Sequence, residues 1–185
     1  MRTSRAGESA LLLLDVVELL VSRSLDYAVV GALAAAIHGA LRASMDADVL
    51  LSIGTSQAAN LEKAFRALGL TAEQTRGDTA DPILGLVRLS DRYANRVDLL
   101  FGLRGLDPQA FSRTIEVPFQ GRTLRFIGRE DFIAMKVFAG GPLDIDDASR
   151  VIKVAGPTLD VPLLRRLAGG YGADALAALE RILAA

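Results

Sequence analysis

The segment Asp46–Ile53 places the strongest limit on the fold, because every second residue along it is apolar. Side chains of a β-strand point alternately to the two faces of a sheet, so this period predicts a half-buried strand. Asp46 and Asp48 then share one face, with their Cα atoms about 6 to 7 Å apart. Two carboxylates this close repel each other, and a hard divalent ion such as Mg2+ takes carboxylate oxygens readily. The alternative is a pair of solvated aspartates at a strand edge.

Composition bounds the class of protein. The 185 residues are 51% hydrophobic and 23% charged, which is enough for one compact domain with a sizeable core. A net charge of -1 does not favour an extended DNA or RNA footprint, which usually needs a basic surface. The absence of cysteine and the single histidine exclude disulfides, thiolate metal sites and multi-histidine zinc sites. Tyr27–Ile37 is apolar over only 11 residues, so we expect no membrane segment and a cytoplasmic location.

Periodicity predicts an α/β (α+β) fold: a mixed β-sheet flanked by helices over residues 1–127, then a helical portion, 128–185, packed with it as one unit. Strands are expected at Tyr27–Val30, Asp46–Ile53, Leu70–Gln74, Ile83–Leu89, Ala94–Phe101, Thr114–Pro118 and Arg122–Ile127. Ser90–Tyr93 and Gln120–Gly121 are interpreted as hairpin turns, and Arg76–Pro82 as a mobile loop. Helices are expected at Ser9–Ser24, from Gly31 to His38, at Gln57–Leu68 capped by Ser56, at a short turn from Asp107, and at Arg129–Ala139, Ile145–Val154, Val161–Leu167 and Ala173–Ala184.

Two further segments carry residues of chemical interest. The first is a predicted strand that runs into a helix at Gly31, where the free N–H groups of a helix start suit a phosphate and the missing Cβ allows close approach. An ordinary tight turn is the alternative. The second is Val97–Leu99, which places the carboxylate of Asp98 inside an apolar strand. The alternative for Asp98 is an ion pair with Arg96 or Arg42.

Together these segments resemble the nucleotidyltransferase superfamily that includes DNA polymerase beta. Its pattern is a hydrophobic residue, Gly, then Gly or Ser, about ten to thirteen residues, an acidic-hydrophobic-acidic triplet and a carboxylate on a later strand. The matching positions here are Val30-Gly31-Ala32, the thirteen residues Leu33–Met45, Asp46-Ala47-Asp48 and Asp98. The finer text is similar to a small prokaryotic branch with antitoxin-like and abortive-infection-type members, at Gly31, Ala34, His38, Gly39, Arg42, Ser44, Asp46 and Asp48.

The C-terminal portion adds to the resemblance. Glu130–Lys136 is similar to an E-D-L-I-A-L-K stretch of the same branch, which continues with a D-x-x-D that here is Asp144–Asp147. A lysine in an apolar helix needs a partner, so Lys136 is expected to meet a carboxylate or a phosphate. The alternatives are a surface lysine for Lys136 and a helix N-cap for Asp144. His38 is interpreted as a structural histidine bonded to a nearby carbonyl.

The resemblance implies a metal-dependent enzyme that transfers a nucleoside monophosphate from an NTP, such as ATP, to an acceptor hydroxyl. It assigns Mg2+ (or Mn2+) binding and catalysis to Asp46, Asp48 and Asp98. It assigns nucleotide binding to Gly31, Ala32, Arg42, Ser44, Lys136, Asp144 and Asp147. The acceptor stays open among an RNA end, a protein side chain and a small molecule.

Three departures from the pattern keep a second function open. Ala32 replaces the usual Gly or Ser and removes a hydroxyl contact to phosphate, although its backbone N–H remains. Ala47 is smaller than the usual residue between the acids, and Gly140–Leu143 lacks a basic residue often found before the D-x-x-D. An antitoxin-like, non-catalytic member that binds a protein partner is therefore the alternative, and an α/β domain whose aspartates pair with arginines is a third. The apolar C-terminal helices would also allow a homodimer.

Overall fold

The computed structural model describes residues 1–78 and 81–184. The predicted loop Arg76–Pro82 includes Thr79 and Ala80, which lie outside the described residues. The remaining chain contains a seven-stranded mixed sheet and seven α-helices. The predicted α/β class is therefore confirmed.

The strands form a single sheet in the order β3-β4-β5-β2-β1-β7-β6. In chain order they are β1 (Tyr27–Val30), β2 (Asp46–Leu51), β3 (Thr71–Arg76), β4 (Gly85–Ser90), β5 (Arg96–Phe101), β6 (Ile115–Phe119) and β7 (Arg122–Phe126). β2 lies parallel to β5 and antiparallel to β1, while β4 is antiparallel to both β3 and β5. The Asp-rich strand is thus internal to the sheet, with a neighbour on each side.

The seven α-helices lie mainly where periodicity predicts helices. They are α1 (Ser9–Ser22), α2 (Gly31–Ile37), α3 (Thr55–Ala67), α4 (Arg129–Ala139), α5 (Pro142–Ala155), α6 (Val161–Tyr171) and α7 (Ala173–Leu183). α3 begins at Thr55 with Gly54 as its N-cap, because the side chain of Gln57 accepts a hydrogen bond from the Gly54 N–H, so Ser56 is not the cap. The helix expected from Asp107 is a short 3-10 helix, Ala110–Arg113.

Contacts divide the chain into two compact units. The first comprises residues 1–33, 43–104 and 116–125, and the second comprises 34–42, 105–115 and 126–185. In the first unit α1 packs against β2 and β5, and α3 against β3 and β4. Its core includes the alternating set Ala47, Val49 and Leu51, each at most 2% exposed. In the second unit α5, α6 and α7 all pack against α4.

Candidate functional site

Three aspartates lie on one face of the sheet, as the alternation in β2 predicts. In the parallel pair formed by β2 and β5, Asp48 is the direct neighbour of Asp98 and Asp46 is the neighbour of Arg96. Directly opposed residues of adjacent strands point to the same side of a sheet, and neighbouring strands lie about 4.8 Å apart. The sequence therefore brings Asp46, Asp48 and Asp98 together, with Asp98 the most deeply buried at 7% exposure.

Asp98 is held by an arginine that the sequence analysis did not identify. Arg88 on β4 donates from Nε to Oδ1 of Asp98 at 3.0 Å and from Nη2 to Oδ2 at 2.8 Å. These bidentate hydrogen bonds raise the pKa of Arg88 above its ordinary value. The predicted alternative of an ion pair to Arg96 or Arg42 is correct in kind and wrong in partner.

Asp46 has two polar neighbours on its own side of the sheet. The hydroxyl of Ser44 donates to Oδ1 of Asp46 at 2.7 Å, and Nη2 of Arg96 lies 3.9 Å from its other oxygen. Both Asp46 and Arg96 are partly exposed, so this ion pair is weak. Ser44, predicted to bind nucleotide, therefore orients the first carboxylate of the triplet.

Asp48 lies against the turn between β1 and α2. A Cβ on Gly31, whose φ is +63°, would lie 1.9 Å from Oδ2 of Asp48. The left-handed backbone angle favours glycine, and a side chain there would also force the Asp48 carboxylate to shift. Ala32, next in the chain, is 3% exposed, so its methyl group packs in the core and only its backbone could serve a ligand.

The carboxylate set matches Mg2+ in chemistry, since Asp46 and Asp48 supply hard oxygen donors from one strand. Among residues 1–78 and 81–184, however, no three acidic or histidine side chains are positioned to hold a single ion. Both oxygens of Asp98 instead accept hydrogen bonds from Arg88. Metal binding by the three aspartates stays a prediction.

The second unit gathers the remaining predicted polar residues into one cluster. Nζ of Lys136 lies 2.7 Å from Oδ1 of Asp144 and 2.9 Å from Oδ2 of Asp147. Nε of Arg42 lies 3.2 Å from the same Asp147 oxygen. Two cations thus balance two carboxylates, and Asp147 is only 2% exposed. We call these four residues the lysine cluster; their role in nucleotide binding stays a prediction.

Two of the alternatives for this cluster are excluded. The Lys136 side chain is 12% exposed and meets carboxylates, as a lysine in an apolar helix must, so it is not a surface lysine. Asp144 is not a helix N-cap, because α5 begins at Pro142 with Gly141 as its N-cap. The cluster therefore joins α4 to α5 through charge.

His38 is the structural histidine that the sequence suggests. Its Nε2 lies 2.9 Å from the carbonyl oxygen of Ile127, and its ring is tilted against Phe132 at 5.6 Å between centroids. Burial lowers the pKa of His38 below 6.5. A neutral ring that donates from Nε2 satisfies this environment.

A second ion network was not predicted. Arg113 donates to both oxygens of Asp131, at 2.7 and 2.6 Å, and also to Asp107 at 3.0 Å. The hydrogen bond that Arg166 donates to Asp107 is the main cause that lowers the pKa of this carboxyl to about 2. The network fastens the 3-10 helix Ala110–Arg113 to α4. Asp131, an acidic residue of the Glu130–Lys136 stretch, is therefore used in a structural ion pair.

A groove of about 620 Å3 also lies in the second unit, between α5 and α7. Its lining includes Ile145, Ile152 and Ile182 along with Lys153 and Arg181. None of the predicted site residues lines it. Concavity alone therefore does not identify the chemistry of this chain, and the acidic face of the sheet remains the candidate site.

Solved structures of other proteins share the fold of this chain. No protein-family profile matches the sequence, and no curated protein matches it. The solution structure of the antibiotic-resistance factor ANT(2'')-Ia aligns with 92% of this chain and 94% of that chain, at 15% identity and a TM-score of 0.61. The fold is nucleotidyltransferase-like. A crystal structure of ANT(2'')-Ia with adenylyl-2''-tobramycin aligns with 86% of this chain and 94% of that chain, at 14% identity and a TM-score of 0.59.

A third solved structure with a similar fold is also nucleotidyltransferase-like by name. An antigenic nucleotidyltransferase-like protein from Paracoccidioides brasiliensis aligns with 97% of this chain and 90% of that chain, at 17% identity and a TM-score of 0.52. These similarities agree with the superfamily that the motifs resemble, and they do not distinguish its small prokaryotic branch. Within the described part of this nucleotidyltransferase-like fold, no helix has the length and apolar character required to cross a bilayer.

Proposed function

We propose that this protein transfers a nucleoside monophosphate from an NTP to an acceptor hydroxyl with the help of Mg2+ or Mn2+. The observation that carries the proposal is the placement of Asp46, Asp48 and Asp98 on one face of two adjacent strands, with Asp48 and Asp98 in register. The nucleotidyltransferase-like fold supports it.

Each aspartate has a distinct role in this reaction. Asp46 and Asp48, with Asp98 beside them, would hold the divalent metal, which would supply positive charge to the phosphate oxygens and to the departing diphosphate. Asp98 accepts the proton of the acceptor hydroxyl. The acceptor oxygen forms a bond to the α-phosphorus, the bond from that phosphorus to the α,β-bridging oxygen breaks, and diphosphate leaves.

A small-molecule hydroxyl is the first acceptor to test. The similar crystal structure of ANT(2'')-Ia is a complex with adenylyl-2''-tobramycin. RNA ends and protein side chains complete the panel, because the acidic face does not by itself select among hydroxyl groups.

The test is transfer of label from the four α-labelled NTPs to this panel in Mg2+ or Mn2+. Asp46→Ala should lower transfer by at least about a hundredfold, because metal stabilisation of transition-state charge is worth several kcal/mol. Asp174→Asn removes an exposed carboxylate on α7 and should leave transfer unchanged. Wild-type protein that shows neither metal-dependent NTP binding nor transfer would overturn the proposal.

A second candidate is a non-catalytic, antitoxin-like protein that acts by binding a protein partner. The observation that favours it is the neutralisation of Asp98 by Arg88 and of Lys136 by two aspartates. Asp98→Asn separates the two functions. It should abolish nucleotidyl transfer, whereas a binding protein should retain its partner with unchanged affinity.

A further inference from the structure

We propose that Arg88 competes with a divalent cation for Asp98, and that Glu73 on the next strand receives the guanidinium when the cation binds. This inference rests on the proposed function and concerns how its metal site is assembled. It makes Arg88 a positioning residue that sets metal affinity, although no sequence pattern pointed to it.

The competition follows from the ion pair itself. Arg88 engages both oxygens of Asp98 within 3.0 Å, so a cation that uses this carboxylate meets a guanidinium of the same sign beside it. The two cations repel each other at such distances, and the carboxylate cannot give its full charge to both. Metal binding that includes Asp98 is therefore weakened for as long as Arg88 stays in this ion pair.

Arg88 is the partner that can move. Its side chain is 47% exposed, whereas that of Asp98 is 11% exposed and comes from an internal strand. Rotation of a long side chain at the surface leaves the sheet unchanged. Displacement of Asp98 would disturb β5, which pairs with β2 on one side and β4 on the other.

The departing guanidinium has a second carboxylate within its own row of the sheet. Arg88 is in register with Asp98 on β5 and with Glu73 on β3, and Asp98 is in register with Asp48 on β2. One row across four strands therefore places the cation Arg88 between Glu73 on one side and Asp98, followed by Asp48, on the other. Glu73 is exposed, so it can accept the guanidinium without burying a new charge.

The test measures Mn2+ binding by electron paramagnetic resonance, with and without a non-hydrolysable ATP analogue. Arg88→Gln should tighten Mn2+ binding about tenfold, which is the scale of one charge-assisted hydrogen bond expressed as an equilibrium constant. Glu73→Gln should weaken it a few fold, because Arg88 then loses the exposed carboxylate on the β3 side. The two changes act in opposite directions, which a general loss of structure cannot produce.

Matched controls separate competition from net charge. Arg92→Gln removes an exposed arginine from the β4–β5 connection, and Glu116→Gln removes an exposed carboxylate from β6. Neither should alter Mn2+ affinity by more than about twofold, because screening by salt weakens exposed charges. Arg88→Lys keeps the charge but loses the bidentate geometry, so its Mn2+ affinity should lie between those of wild type and Arg88→Gln. This variant replaces Arg88→Gln in the test if Arg88→Gln does not fold.

A double-mutant cycle decides the point. In the Asp98→Asn background the tightening caused by Arg88→Gln should disappear. Tightening that is equal in both backgrounds, or equal in Arg88→Gln and Arg92→Gln, would overturn the competition. In wild-type protein, the Arg88 Nε–H resonance should shift during an Mg2+ titration with the same midpoint as metal binding.

The outcomes distinguish this inference from the proposed function. If Mn2+ binds to wild-type protein, is lost in Asp46→Asn and is unchanged in Arg88→Gln, then the competition fails and the proposed metal site stands. If wild-type, Arg88→Gln and Asp46→Asn all bind Mn2+ equally weakly in the presence of the nucleotide analogue, the proposed function itself fails.

Discussion

At the scale of single residues, the contact between Asp48 and Gly31 explains why a glycine follows β1. The left-handed backbone at Gly31 and the 1.9 Å approach of an added Cβ to Asp48 act together. The glycine is thus required by the protein's own carboxylate, before any phosphate is considered.

Gly31→Ala should therefore destabilise the protein by about 3 kcal/mol, from a left-handed alanine together with overpacking against Asp48. Urea unfolding measures the loss. Gly69→Ala is the matched control, because Gly69 has φ +84° and nothing within 4 Å of an added Cβ. The control should lose only about 1 kcal/mol. Equal losses in the two variants would mean that the contact with Asp48 contributes nothing.

At the scale of elements, the end of α2 is fastened through His38. The residue follows the last turn of α2 and bonds the carbonyl of Ile127, which precedes α4. Because burial lowers its pKa below 6.5, the folded protein keeps this ring neutral at a pH where the unfolded chain protonates it. The contact therefore makes stability depend on pH.

The sign of this dependence is definite. Well above pH 6.5 both states leave His38 neutral, and the full stability is present. As pH falls from about 7 toward 5, the unfolded chain binds a proton that the folded protein does not, so the free energy of unfolding decreases. His38→Gln, whose amide can still donate to Ile127, should flatten urea-unfolding stability between pH 7 and pH 5.5. His38 is the single histidine of the chain, so an unchanged slope in His38→Gln would exclude this cause.

The elements also show how far the sequence can predict the site. Period-two alternation placed Asp46 and Asp48 correctly, because the period of a strand is independent of its partners. The register of a hairpin is not. A turn at Ser90–Tyr93 would set Arg88 opposite Asn95, whereas the observed register sets it opposite Asp98.

The register is fixed by contacts that composition does not reveal. Asp91 accepts hydrogen bonds from the N–H groups of Tyr93 and Asn95, and Ala94 adopts φ +64°, which lengthens the connection. Asn95 is 1% exposed and receives the N–H of Glu8 at 2.6 Å on its side-chain oxygen. This contact joins residues 87 apart in sequence, so the turn residues alone do not predict that Arg88 lies opposite Asp98.

At the scale of the whole molecule, the two compact units are interleaved along the chain. The division of the chain at Ile127 stays a prediction, and by their contacts residues 34–42 and 105–115 group with residues 126–185. Sequence periodicity reports the type of each element and not the unit to which it attaches. The assignment depends on contacts such as Arg42 with Asp147 and Arg113 with Asp131.

A fragment of residues 1–127 should therefore expose apolar surface and lose cooperative unfolding. It lacks Phe132, Asp147 and Val154, against which His38, Arg42 and Gly39 pack. Binding of a hydrophobic dye and amide-proton NMR spectra measure the loss. Addition of the 128–185 fragment in trans is the control, because it restores the missing partners and should restore native-like spectra. A fragment 1–127 that unfolds cooperatively with the stability of the full chain would contradict the interleaved division. It would instead favour a true domain boundary at Ile127.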